Sequence, residues 1–154
     1  LTFLPGVAPK DGGQKEVLPG DEIVLLASQH LQFEASSEIA DDESCAPSLL
    51  CAAGLLEEAM DHSPYNPHLK IAAVGVYSGL GAAGRALTIY RDLGIKQIQL
   101  DSCSYLVLPA LVRGGLYTSA IELSASVLRL HGSTSKDVKD YATRALRNGL
   151  LLKA

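Results

Sequence analysis

The residues with the plainest chemical meaning are Gly79-Leu80-Gly81-Ala82-Ala83-Gly84, a literal G-x-G-x-x-G. In a dinucleotide-binding fold such glycines let the backbone turn tightly against a pyrophosphate, which then rests on a helix N-terminus. The motif follows the apolar stretch Ile71–Tyr77, and Ile95-Lys96-Gln97-Ile98-Gln99-Leu100 ends on Asp101. Asp101 stands about as far beyond the glycines as the ribose-binding acid of that fingerprint does. On that reading Gly79, Gly81 and Gly84 would bind the cofactor phosphates and Asp101 the ribose. The competing reading makes Gly81 the turn of a helical hairpin and Asp101 a helix N-cap. Context favours the hairpin. Asn66-Pro67 opens a helix, Ala72-Ala73 falls on a helical period, and no strands alternate after Asp101 as a doubly wound sheet requires.

Other reactive side chains lack the spacing that chemistry needs. No two of His30, His62, His68 and His131 stand at i, i+4, so a helical metal site is not expected; His62 and His131 are read as lying near helix C-termini. Cys45 and Cys51 lack a second pair for zinc, and three cysteines, with Cys103, do not make a disulfide framework. Reduced thiols and a cytoplasmic location are expected. Asp41-Asp42-Glu43 has no calcium-loop glycine after it, and no serine sits in a nucleophile elbow. Lys136, Lys139, Arg144 and Arg147 make a small basic face that Asp137 and Asp140 dilute. No catalytic residue and no metal site is expected.

The 154 residues suit one domain with a sizeable core, and 47% are hydrophobic, which excludes a disordered chain. Seventeen acids against thirteen bases give a net charge of −4, a poor match to a phosphate backbone, so no direct nucleic-acid partner is expected. The apolar runs are too short for a bilayer. A start at Leu1 and a lone Met60 read as a piece of a longer chain.

The elements that would position these residues are helices. Residues 1–20, dense in proline and glycine, read as an irregular linker; residues 21–154 read as a helical segment with an acidic loop at 36–46. Asp21 is the expected N-cap of a first helix. A second spans about 47–62, with Leu49, Leu50, Ala53, Leu56 and Met60 inward and Glu57 and Glu58 in water. Asn66 caps a third with Pro67 at its first position, and Leu69, Ala72, Ala73, Val76 and Leu80 form its stripe. Ala86, Leu87, Tyr90 and Leu93 line the next. A helix over 102–113 is capped by Asp101 and kinked at Pro109. Tyr117, Ala120, Ile121, Ser124 and Leu128 mark another. Thr134 with Asp137 reads as a capping box opening a last helix that ends near Gly149.

The turn glycines recur. Gly81, Gly115 and Gly149 are evenly spaced, and Ala86 and Ala120 keep the same step. That step matches the tetratricopeptide period of about 34 residues, in which a glycine turns the chain and an alanine sits where the paired helices cross. The expected fold is therefore all-α, a tetratricopeptide-like superhelix of antiparallel helix pairs, whose extended surface binds protein.

The stretch from about Asn66 to Gly149 also resembles the family of auxiliary subunits of the N-terminal acetyltransferase B complex. Asn66-Pro67-His68-Leu69-Lys70, Leu80-Gly81-Ala82, Tyr90 followed by Lys96-Gln97-Ile98-Gln99-Leu100-Asp101, Tyr105-Leu106, and Lys136-Asp137 with Tyr141 and Gly149 carry the resemblance. It implies a non-catalytic helical-repeat scaffold around a catalytic acetyltransferase subunit, associated with the ribosome. It also implies that the complex acetylates nascent chains beginning Met-Asp, Met-Glu, Met-Asn or Met-Gln, and that acetyl-CoA binds the catalytic partner. A protein-binding repeat module of some other complex remains the alternative, beside the dinucleotide-binding domain.

Overall fold

The computed structural model describes residues 17–37, 45–96 and 98–149. Among them the chain is helical without a strand: α1 (Pro19–Ser37), α2 (Cys45–His62), α3 (Pro67–Gly79), α4 (Ala83–Asp92), α5 (Ile98–Cys103), a 3-10 turn at Ser104–Leu106, α6 (Leu108–Arg113) and α7 (Tyr117–Arg147). Packing is largely sequential: α1 on α2, α2 on α3, α3 on α4, α4 on α6, and α6 on α7. The core follows that order, from Ala52, Leu56 and Ala59 through Leu69, Ala73, Val74 and Val76 to Ala86, Ile89, Tyr90, Val107, Leu111 and Ala120. Its many alanines let the helices approach closely.

Local chemistry sets the boundaries. Asn66 caps α3, its side-chain oxygen accepting the His68 N–H at 3.0 Å, and Pro67 takes the first position, where no N–H is needed. Gly81 ends the α3 hairpin at φ +73, with the Leu80 N–H donating to Val76 O and the Ala82 N–H to Tyr77 O, both at 2.9 Å. The same bonds recur at the next glycine of the series. Gly115 has φ +73, the Gly114 N–H donates to Ala110 O at 2.8 Å, and the Leu116 N–H donates to Leu111 O at 2.9 Å. Gly149, at φ +70, follows an Asn148 N–H donating to Arg144 O at 3.1 Å. A left-handed residue after the last turn redirects the chain and satisfies carbonyls that the helix leaves open.

Four expectations are corrected. Asp21 is not the cap of α1, which starts at Pro19; Asp21 lies in the first turn and reaches back to accept the Leu18 N–H at 3.0 Å. Asp101 is likewise inside the first turn of α5 rather than before it, because the helix begins at Ile98. Pro109 does not kink a continuous helix. The chain tightens into a 3-10 turn and restarts at Leu108, leaving the proline in a first turn where its missing N–H breaks no bond. The helices expected on either side of Thr134 are one, α7. Gly94 stops α4 at φ +63, but one period later stands Leu128, for which positive φ is strained. Without that stop the helix runs on. Most of the 36–46 loop and of the 1–20 linker lies outside the described residues.

Candidate protein-binding surface

Gly79 is the last residue of α3, Gly81 is in the turn and Gly84 is in α4. The fingerprint needs a strand leading into its turn, and residues 67–79 are a helix, so these glycines do not assemble a dinucleotide site. Asp101 is engaged elsewhere: its carboxylate meets His131 Nε2 at 2.8 Å, linking α5 to the middle of α7. His131 is thus far from a helix end, whereas His62 does close α2 and contacts Glu58 at 3.2 Å. Ala86 is fully buried on α4 and Ala120 nearly so on α7. Among the described residues no group of three or more His, Cys, Asp or Glu converges, and no helix is long and apolar enough to cross a membrane.

Two polar links hold the N-terminal half of the stack, and sequence reasoning missed both. Asp21, 4% exposed, accepts Ser63 Oγ at 3.0 Å and Asn66 Nδ2 at 2.8 Å, besides the Leu18 N–H. One carboxylate therefore ties the start of α1 to the turn between α2 and α3. Glu57, expected in water, instead receives Arg85 Nε at 2.9 Å, Arg85 Nη2 at 2.6 Å and Tyr77 Oη at 2.6 Å, joining α2, α3 and α4. The Arg85 hydrogen bond, aided by Tyr77 and by the guanidinium charge, lowers the Glu57 pKa from 4.5 against the opposing effect of burial. A carboxylate more acidic in the folded than in the unfolded chain stabilises fully above its unfolded pKa, and that contribution fades as pH falls through the folded value. Glu57→Gln should therefore flatten the fall in stability below about pH 4.3, with little change in the slope at neutral pH, as read from urea midpoints across the acid range.

Tyr90 presents a different imbalance. Its ring is buried in the core and its hydroxyl has no hydrogen-bond partner among the described residues. Burial, then the nearby Cys103, raises its pKa. Because an unpaired buried hydroxyl costs about 1–3 kcal/mol, Tyr90→Phe should leave stability unchanged or raise it by about 1 kcal/mol, measured by chemical denaturation.

The surface best suited to a partner is apolar. Leu108, Val112, Tyr117, Ile121, Ala125 and Leu128 line a shallow groove between α6 and α7. The residues whose spacing marks the start of α7 are mostly outward, with Tyr117 62%, Ile121 68% and Leu128 70% exposed. Leu123 instead turns toward the core with Ala120. At the other end of the stack Ile23, Leu26 and Phe33 are exposed along one face of α1. Contiguous apolar faces of this kind mark interaction surfaces. Their helical spacing was visible in the sequence; their exposure was not.

The chain matches, over residues 8–153, the family described as the N-acetyltransferase B complex (NatB) non catalytic subunit. It is 30% identical over 139 residues to the human protein named N-alpha-acetyltransferase 25, NatB auxiliary subunit, and 34% identical over 139 residues to its mouse counterpart; each alignment covers 90% of this chain. A fission-yeast protein named N-terminal acetyltransferase B complex subunit arm1 is 27% identical across 97% of the chain. The chain spans 14% of the length of the human and mouse relatives and 18% of the yeast one. No solved structure matches it significantly.

Proposed function

The chain belongs to the family of non-catalytic subunits of the N-acetyltransferase B complex, and from that membership we propose that it is part of a scaffold that holds the catalytic acetyltransferase subunit. The observation that carries the proposal is the family match across residues 8–153. Two further features support it: the recurrence of the glycine turns at one constant step, which suits a tetratricopeptide-like superhelix, and the outward apolar faces of α1 and α7. The reaction belongs to the partner, which binds acetyl-CoA and transfers its acetyl group to the α-amine of nascent chains beginning Met-Asp, Met-Glu, Met-Asn or Met-Gln. The scaffold works in the cytoplasm and brings the partner to the ribosome, where those N-termini emerge.

The test is purification of the natural full-length protein from its own cells. An acetyltransferase subunit should co-purify, and the complex should acetylate a Met-Asp peptide while the isolated full-length scaffold does not. Recovery of a stable complex without acetyltransferase would favour a repeat module of another assembly.

A further inference from the structure

We infer that the outer side of α7, along Arg129, Lys136, Lys139, Arg144 and Arg147, is a binding surface for the phosphate backbone of double-helical RNA. The inference rests on the proposed ribosomal placement for the source of that RNA, and on the charge and geometry of α7 for the surface itself.

Charge is divided along the chain. Residues 1–79 hold twelve acids and three bases, whereas residues 80–154 hold five acids and ten bases. The net charge of −4 conceals this division, and the expectation of no nucleic-acid partner followed from that net charge. A chain whose halves differ so much in sign presents a polyanion with a basic end that the total does not reveal.

Half of the bases in that second part lie on α7, and Arg129, Lys136, Lys139, Arg144 and Arg147 are all exposed. Among the described residues no acid stands within ion-pair distance of any of them, whereas Lys70 and Arg85 are neutralised by Asp92 and Glu57. At about 3.6 residues per turn, Arg129, Lys136 and Arg147 fall within about 20° of one line along the helix, with Arg144 to one side and Lys139 to the other. The line is about 27 Å long at about 1.5 Å per residue. Every residue from 131 to 141 is exposed, so this part of the continuous α7 stands clear of the core and is open along its length. Tyr117, Ile121 and Leu128, which line the apolar groove, point about 100° round the helix from the basic line, so a protein in the groove leaves the line free.

Cations spaced along a rigid helix suit phosphates that repeat along the edge of a duplex, and A-form RNA is recognised chiefly through its backbone and shape. A single strand would call for aromatic platforms on which bases stack. Tyr141, the exposed aromatic of this part of α7, lies about 120° from the line. Three acids oppose the contact: Glu122 and Asp140 on the line and Asp137 beside it. Binding is therefore weak and sensitive to salt.

Fluorescence anisotropy of a labelled RNA duplex of about 16 base pairs tests this with the natural full-length protein, purified with its bound partners. Lys136→Gln, Lys139→Gln, Arg144→Gln and Arg147→Gln together should weaken duplex binding at least about 10-fold, and the slope of log affinity against log salt should become shallower by about 3–4. The melting temperature should hold, because all four side chains are exposed. Asp140→Asn should tighten binding by about 2–5-fold. Arg91→Gln with Lys96→Gln, exposed cations away from α7, should leave it unchanged. Unchanged affinity in the fourfold variant overturns the inference, and so does an equal loss from the Arg91 and Lys96 pair. It also fails if the four substitutions abolish self-association at low salt and spare duplex binding, which assigns the face to the acidic half of a second copy. The ribosomal reading fails separately, if the natural protein binds the duplex but does not sediment with ribosomes.

Discussion

Asp21→Ala should destabilise the protein by about 3 kcal/mol, lowering its melting temperature by about 6–12 °C. Ser63 Oγ, Asn66 Nδ2 and the Leu18 N–H all donate to this one carboxylate. Ser63 and Asn66 are themselves buried, so losing the acceptor strands donors that water reaches poorly. The loss also reaches the start of α3, because Asn66 uses its other side-chain atom to cap that helix. Asp21→Asn should cost much less, about 1 kcal/mol. Its remaining oxygen can still serve Leu18 and Asn66, while its new amide can donate to the Ser63 hydroxyl, which turns to accept. Thermal and urea unfolding of the two variants check the order. Equal losses would show that the position needs the negative charge rather than acceptor geometry.

Gly114→Val should destabilise by about 2–3 kcal/mol, chiefly by pushing α6 off α4. A Cβ at Gly114 would stand 2.6 Å from Ala83 Cβ and 3.1 Å from Ala110 O. Neither obstacle is the far end of a flexible side chain, so relief requires the helices to separate. That opens the contacts of Val107 and Leu111 with the α4 core. The obstacle on α4 is the methyl of Ala83, so Gly114→Ala combined with Ala83→Gly should recover at least about 1 kcal/mol of the loss from Gly114→Ala alone. A double-mutant cycle measured by denaturation would register that coupling, and strict additivity would place the cost elsewhere. Gly115→Ala, at the very next position, should cost about 1–2 kcal/mol for a separate reason. Its Cβ would meet open space, but its φ of +73 strains any L side chain.

These two adjacent glycines separate what the sequence determined from what the tertiary structure decided. The sequence alone determined the helical class, the Asn66-Pro67 start of α3 and the turns at Gly81 and Gly115, because periodicity, capping and left-handed backbone act within a few residues. It also carried the family resemblance. Local rules failed wherever a distant neighbour set the outcome. Asp21 looked like a helix cap until Ser63 and Asn66 arrived from across the stack, and Glu57 looked like a solvated acid until Arg85 and Tyr77 reached it. Gly114 stands outside the evenly spaced glycines, yet its lack of a side chain admits Ala83. The stripe of α7 was legible as amphipathic from its spacing, but spacing says which residues share a face and not whether that face is covered. Only the packed neighbours decide that: α6 covers the face of Ala83 and Tyr90, while the matching face of Tyr117 and Ile121 is open.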